Sequence, residues 1–127
     1  SRPPPPGWLQ WTPMDLSETN IEELIAASPR LDHSVPAVSH LRGGSSAGYK
    51  RWDEFRQSGG LRGYAMTRNN ALKRNGVSRL SAYHRWGMVS PFKIARDAAA
   101  CSSGGARKFL DEFLIWRELS YAFCANK

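Results

Sequence analysis

From Arg107 to about Ala125 the chain carries Phe109, Leu110, Phe113, Leu114, Ile115, Trp116, Leu119 and Phe123, so that any helix through these residues is apolar on most of its sides. A helix at a protein surface shows one apolar stripe, and one apolar nearly all round belongs in an interior. The chain must therefore supply, or be supplied with, several other elements to cover this segment. The rest of the sequence keeps a helical period. Tyr49, Trp52 and Phe55 recur at three-residue steps, and Leu61, Tyr64 and Ala65 follow after Gly59-Gly60, which predicts two helices joined by a glycine turn. Leu80 and Tyr83 predict a helix over Ser78 to Gly87, and Ser90-Pro91 supplies an N-cap with proline at N1 for a helix running to about Ala100. Ile21, Leu24 and Ile25, with early acids, predict a short helix from about Ser17 to Ser28. Ser102 to Gly105 is expected to be a loop before the last helix. No stretch of several residues alternates as a strand would. The expected class is all-α, with about five to six helices.

Two segments stand outside this pattern. Pro3 to Pro6 can only be extended polyproline, so the first seven residues are read as a tail or linker. Residues 29–46, rich in proline and glycine, are read as a long connection. The expected organisation is a tail, short helix and connection over residues 1–46, and a helical domain over 47–127. The first residue, Ser1, reads as a cut or processed end.

With 127 residues, the chain can form one compact domain. Its 18 Lys plus Arg against 11 Asp plus Glu leave it at +7, which favours a polyanionic partner such as nucleic acid, although a solvated basic surface gives the same balance. The two cysteines, Cys101 and Cys124, have no metal-ligand or disulfide spacing, and Cys124 is expected to be a buried thiol inside the apolar helix. His33, His40 and His84 make no metal spacing and no hydrolytic triad, and are read as capping or core residues. No metal is expected. No apolar run approaches the ~20 residues that cross a bilayer.

Three constellations could carry chemistry. In Gly76-Val77-Ser78-Arg79-Leu80-Ser81, a glycine turn enters a helix start with two hydroxyls and a guanidinium, the outline of an anion site. A plain serine cap with a surface arginine explains the same residues. In the last helix Glu112 and Trp116 are four apart, so a carboxylate stands beside an indole, a pair able to read and stack on an extruded base. The adjoining Arg117 and Glu118 face partners or a ligand, or else form ion pairs with other helices. Tyr64 and Arg68, again four apart, lie among Arg62, Lys73 and Arg74, a basic stretch with an aromatic that suits phosphates and bases and equally a solvated face.

Read in order, these pieces resemble DNA photolyases and cryptochromes, class II photolyases above all. They are Asp32-His33-Ser34-Val35-Pro36, Gly43-Gly44, Tyr64-Ala65 with Arg68-Asn69, Ser78 to Tyr83, Gly87 with Ser90-Pro91, and Phe109 to Cys124, together covering roughly residues 31 to 126. The resemblance implies a helical domain cradling a U-shaped FAD, whose reduced form, excited by blue or near-ultraviolet light, gives an electron to a cyclobutane pyrimidine dimer in damaged DNA. It implies that Ser78, Arg79, Leu80 and Ser81 hold the flavin's phosphates and that Tyr64 and Arg117 belong to the flavin site. Glu112 and Trp116 are implied at the flipped dimer, and Arg68, in the basic stretch beside Tyr64, is the further residue expected to face DNA. Val77 stands where many relatives have threonine, which removes one hydroxyl. Because such enzymes are several times longer, an antenna domain is expected before residue 1 and the rest of the flavin site after residue 127. Such a piece alone is expected to self-associate and to hold FAD weakly. A cryptochrome-type photoreceptor and a non-catalytic basic DNA-binding module are the alternatives. The compartment expected is the cytoplasm (nucleoid) of a bacterium or the nucleus of a eukaryote.

Overall fold

A computed structural model of the chain describes residues 17–126, so the proline run, Trp8 and Trp11 lie outside the described residues. Among those residues all regular structure is helical: α1 (Ile21–Ala26), α2 (Ser45–Gln57), α3 (Gly60–Thr67), α4 (Ser81–Arg85), α5 (Pro91–Ala99), α6 (Gly104–Leu110), a π-helical turn (Asp111–Ile115) and α7 (Trp116–Ala125). The all-α class is thereby met. The described chain forms two units that part between Val38 and Ser39. Among the described residues no helix is long and apolar enough to cross a membrane.

The first unit holds α1, which is shorter than the period suggests. Asn20 caps it by accepting from the backbone N–H groups of Glu22 and Glu23, so the helix starts four residues past the expected Ser17. After it, Asp32 accepts from both the backbone N–H and the hydroxyl of Ser34 at 2.9 and 2.7 Å, and His33 Nε2 lies 2.9 Å from the Ser28 carbonyl. These are local turns, and Ile21, Leu24 and Ile25 are exposed.

The second unit is built round aromatics. Trp52 and Phe55 of α2, Ile94 and Ala98 of α5, and Ala106 and Phe109 of α6 are buried together with Leu61, Leu80, Tyr83 and Val89. The Phe109 ring lies 5.5 Å from Trp52, 5.3 Å from Tyr64 and 5.6 Å from Phe113, all within the range of favourable aromatic pairs. The Trp52 indole keeps its polar end satisfied by donating to Asp97 at 3.0 Å. Helix α6 packs on α3 and α5. The closest approach is at Gly105, where a Cβ would collide with the Arg62 carbonyl and sit 2.5 Å from that of Leu61. The last helix therefore begins earlier than the expected Arg107: Ser103 caps α6 by accepting from the Ala106 N–H at 3.0 Å, and two residues assigned to a loop become helical.

The other boundaries have equally local causes. Gly59, at φ 79°, makes the left-handed turn between α2 and α3. Helix α4 stops because Gly87 turns left-handed at φ 65°, with Met88 N–H bonded to the Tyr83 carbonyl and Gly87 N–H to that of His84, a Schellman closure. Ser90 caps α5 with Pro91 in its first turn, as expected. Tyr49 fixes this corner by accepting the Ser90 N–H at 3.0 Å.

The burial expected of the last helix fails over its second half. The last helix is buried only in its first part: α7 holds no buried residue, and Trp116, Leu119, Tyr121 and Phe123 are 54–73% exposed. The described helices cover α6 on the faces toward α3 and α5, and none of them reaches round α7. Cys124 is accordingly exposed rather than buried.

Candidate functional site

Helix α3, the segment entering α4, and the α6–π turn–α7 rod enclose a cavity of about 400 Å³ lined by Tyr64, Ser78, Leu80, Ser81, His84, Phe109, Glu112, Phe113 and Arg117. Residues up to 53 positions apart in sequence thus meet here, and six of them are ones singled out by their chemistry: Tyr64, Ser78, Leu80, Ser81, Glu112 and Arg117.

The segment 76–81 is shaped by its backbone. Arg79 adopts φ 57°, the left-handed region that costs a non-glycine residue about 1–2 kcal/mol. This reversal leaves Arg79 exposed while Ser78 and Leu80 on either side line the cavity. Arg51 of α2 holds the turn in place. Its Nε donates to the Ser78 carbonyl at 2.9 Å, and its two Nη atoms donate to the Val77 carbonyl and to Asn75 Oδ1, each at 3.1 Å. The expected helix start at Ser78 is not there. Helix α4 begins at Ser81 and is five residues long, with no side-chain cap. A helix that short has little macrodipole to offer, so any anion affinity here comes from the hydroxyls and from Arg117 rather than from a helix terminus.

The rod opposite is distorted at the same level. Residues Asp111–Ile115 form a π turn, closed by i→i+5 bonds, a feature that recurs at functional sites. Glu112 and Phe113 of this turn line the cavity, and Arg117 follows one turn later. Glu112 receives Lys108 Nζ at 2.9 Å and Arg68 Nε at 3.6 Å. Arg68, which also donates to the Ala65 carbonyl at 2.7 Å, is thereby committed to Glu112 in this structure. Arg117 makes no ion pair among the described residues. Its guanidinium sits 5.6 Å over the Tyr121 ring and 3.4 Å from the Tyr121 hydroxyl. Tyr64 is pushed up from the ordinary tyrosine value, first by burial and then by the Glu112 carboxylate, so it keeps its proton and can donate. Trp116 is not brought to the cavity: it is 61% exposed and lines none of it.

The structure adds residues that the sequence pattern did not single out. Phe109 and Phe113 give the cavity a stacked aromatic floor. His84 forms the wall it shares with a second cavity of about 380 Å³, lined also by Arg85, Arg117, Ser120, Tyr121 and Cys124. Both ring nitrogens of His84 are shut off from solvent, and the Val89 backbone beside the ring opposes part of the effect of that burial. Burial, reinforced by the Arg117 charge, holds His84 below the ordinary histidine value of 6.5. The period of Leu80 and Tyr83 marks the core face of α4, and nothing in it announces that His84 turns toward a cavity. A larger groove, about 540 Å³, lies between Asp53, Arg56, Arg62 and Asp97, and both of its carboxylates already pair with Arg56. Among the described residues there is no cluster able to hold a metal ion.

No family model and no solved structure matches the chain. Over 123 residues, 91% of this chain, it is 32% identical to the deoxyribodipyrimidine photo-lyase of Arabidopsis thaliana. The chain spans only 25% of that relative's length. The segments that build the cavity therefore fall within a stretch similar to a photolyase along nearly the whole chain.

Proposed function

We propose that the chain is the first part of the helical FAD-binding domain of a class II-like photolyase, working in light-driven repair of cyclobutane pyrimidine dimers. The observation that carries the reading is the cavity itself. It gathers Tyr64, Ser78, Leu80, Ser81 and Arg117 from separate elements, and these, all but the exposed Arg79, are the positions that the photolyase resemblance assigns to flavin. The donor set suits the group: two hydroxyls, a tyrosine that stays protonated, and a guanidinium with no carboxylate partner among the described residues. When bound, reduced FAD supplies the light-excited electron that breaks the dimer.

The chain's own part is binding and orientation. Ser78, Ser81 and Arg117 hold phosphate oxygens, and Leu80, Phe109 and Phe113 exclude water behind them. Glu112 accepts a hydrogen bond from the edge of an extruded base, with Lys108 and Arg68 fixing where its carboxylate sits. Trp116, on the uncovered side of α7, offers a ring for a base to stack on. The exposed Arg62, Lys73 and Arg74, within a net charge of +7, provide sequence-independent attraction to the DNA backbone. Damaged DNA is the partner proposed, in the bacterial nucleoid or the eukaryotic nucleus.

The test is repair. The protein encoded by the full reading frame, purified with FAD, is given dimer-containing DNA under blue light, beside its Glu112→Ala variant. The proposal expects dimers to disappear with the wild type, and more slowly with the variant at unchanged flavin absorbance. Flavin binding without repair would replace it by the photoreceptor reading. Absence of both would leave a basic DNA-binding module.

A further inference from the structure

We propose that the loop between α3 and α4 is a DNA-inserting finger, in which Leu72 enters the base stack of a duplex and fills the gap left when a damaged dinucleotide swings out. The finger rests on the reading of damaged DNA as the partner and adds to it a side chain outside the cavity.

Three observations carry it. First, Leu72 is 96% exposed, more than any other large apolar side chain among the described residues, and Met66 at the foot of the loop is 89% exposed. A single exposed leucine is ordinary on a protein surface. This one stands on a loop whose order owes nothing to its side chain. Second, the loop is tied at its base and along its length. Thr67 Oγ1 lies 3.1 Å from the Gly63 carbonyl and 3.4 Å from that of Gly76, joining the two ends. The Asn70 N–H bonds to the Thr67 carbonyl, Asn70 Oδ1 accepts the Leu72 N–H at 3.0 Å, and the Asn70 carbonyl accepts the Lys73 N–H at 3.1 Å. Gly76 is packed so closely that a Cβ there would sit 2.8 Å from the Thr67 carbonyl oxygen. Arg51 secures the far end through Asn75 Oδ1. A side chain presented from such a turn enters a base stack with little ordering cost. Third, the charge around it is of one sign. From Phe55 to Arg96 the chain carries nine Lys or Arg and no Asp or Glu. Lys73 and Arg74, directly after Leu72, are exposed and make no ion pair among the described residues. An apolar side chain beside unpaired cations suits a duplex, where the cations hold phosphates while the apolar group wedges between bases.

The loop also starts and ends at the candidate site. It springs from α3, whose Tyr64 lines the cavity, and returns as the segment whose Ser78 lines it. Finger and cavity thus share their walls, so both can act on one duplex. Extruding a dinucleotide costs unstacking and unpairing, and a wedge in the vacated place offsets part of that cost. Only a duplex has such a place, so the contribution of Leu72 is absent from single-stranded DNA.

The experiment measures binding by the protein from the full reading frame, kept dark, to a duplex holding one cyclobutane thymine dimer with 2-aminopurine in the opposite strand, and to the dimer-containing strand alone. Leu72→Ala should weaken duplex binding by about ten-fold, the effect of losing a half-buried leucine, and abolish most of the 2-aminopurine fluorescence rise. It should leave single-strand affinity and helical circular dichroism unchanged. Leu72→Phe should keep the duplex preference, whereas Lys73→Ala and Arg74→Ala should weaken both substrates alike and reduce the salt dependence. Leu72→Ala that binds the duplex as the wild type does, or loses as much affinity for the single strand, would overturn the finger while a dimer preference kept by both proteins leaves the repair reading standing. A third duplex, with two abasic residues in place of the dimer, separates the converse case. A Leu72-dependent preference for it, in a protein indifferent to dimers, would keep the finger and remove the repair reading. Preference for neither duplex over an undamaged one would overturn both.

Discussion

Gly104 and Gly105 are adjacent in α6, and the structure predicts opposite outcomes for the same substitution at each. At Gly105 a Cβ would meet the carbonyl of Arg62 inside contact distance, with the Arg62 carbonyl carbon and the Leu61 carbonyl oxygen each at 2.5 Å. All three atoms are backbone of α3, so no rotamer change relieves the clash. Helices α3 and α6 must separate, and with them Leu61 and Tyr64 from Phe109. Overpacking of a formed core costs about 1–3 kcal/mol, and a backbone-to-backbone collision belongs at or above the top of that range, about 3 kcal/mol. At Gly104 a Cβ meets nothing within 4 Å, and its φ is not in the left-handed region. Alanine there only narrows the unfolded ensemble, worth about 0.4–1 kcal/mol in favour of the fold. Urea unfolding followed by circular dichroism measures both. Because the two variants share composition, charge and helix, effects on solubility or propensity cancel between them. Gly105→Ala as stable as the wild type would refute the α3–α6 contact, and with it the placement of Tyr64 against Phe109 in the cavity wall.

Three further outcomes follow. Arg51→Ala removes three charged-donor bonds from the turn at Asn75–Ser78; at about 1.5–3 kcal/mol for such a bond in favourable cases, and with part of the site wet, the expected loss is about 2–3 kcal/mol in the same unfolding assay. His84 titrates lower in the fold than in the unfolded chain, so below its ordinary value of 6.5 the unfolded state binds more protons and stability falls with pH until the folded group titrates too. His84→Phe should flatten that part of the melting-temperature profile relative to wild type. The uncovered face of α7, with Leu119 and Phe123 exposed, should make the chain self-associate. Sedimentation of a Leu119→Lys, Phe123→Lys double variant should show less association than wild type.

How much of this was legible in the sequence depends on what each residue's position rests on. The period of Tyr49, Trp52 and Phe55, the glycine turn at Gly59-Gly60 and the Ser90-Pro91 cap are local signals, and each appears where the pattern places it. Ser103 was missed as a cap because the two glycines after it read as a loop, and only the need for close approach to α3 makes Gly105 a helical residue. The register between Glu112 and Trp116 was read from an ideal α-helix, whereas the π turn at Asp111–Ile115 changes the residues per turn just where the count matters. Arg51 and His84 were not singled out for a different reason. Their roles come from partners 24 to 27 residues away for Arg51 and from Arg117 for His84, and no local spacing encodes such meetings. The burial expected of the last helix was a correct reading of its composition. Over α7 it fails because, among the described residues, no helix buries its apolar side chains.

The central claim is that the cavity between α3, α4 and the α6–α7 rod is one wall of a flavin site, and flavin retention tests it most directly. The protein from the full reading frame and its Arg117→Ala and Ser81→Ala variants are purified in the dark, and bound flavin is read from absorbance per protein. Flavin held by the wild type, weakened by at least ten-fold in Arg117→Ala and less in Ser81→Ala, with helical circular dichroism unchanged, is the predicted result. Flavin retained equally by all three proteins, or by none, would contradict it.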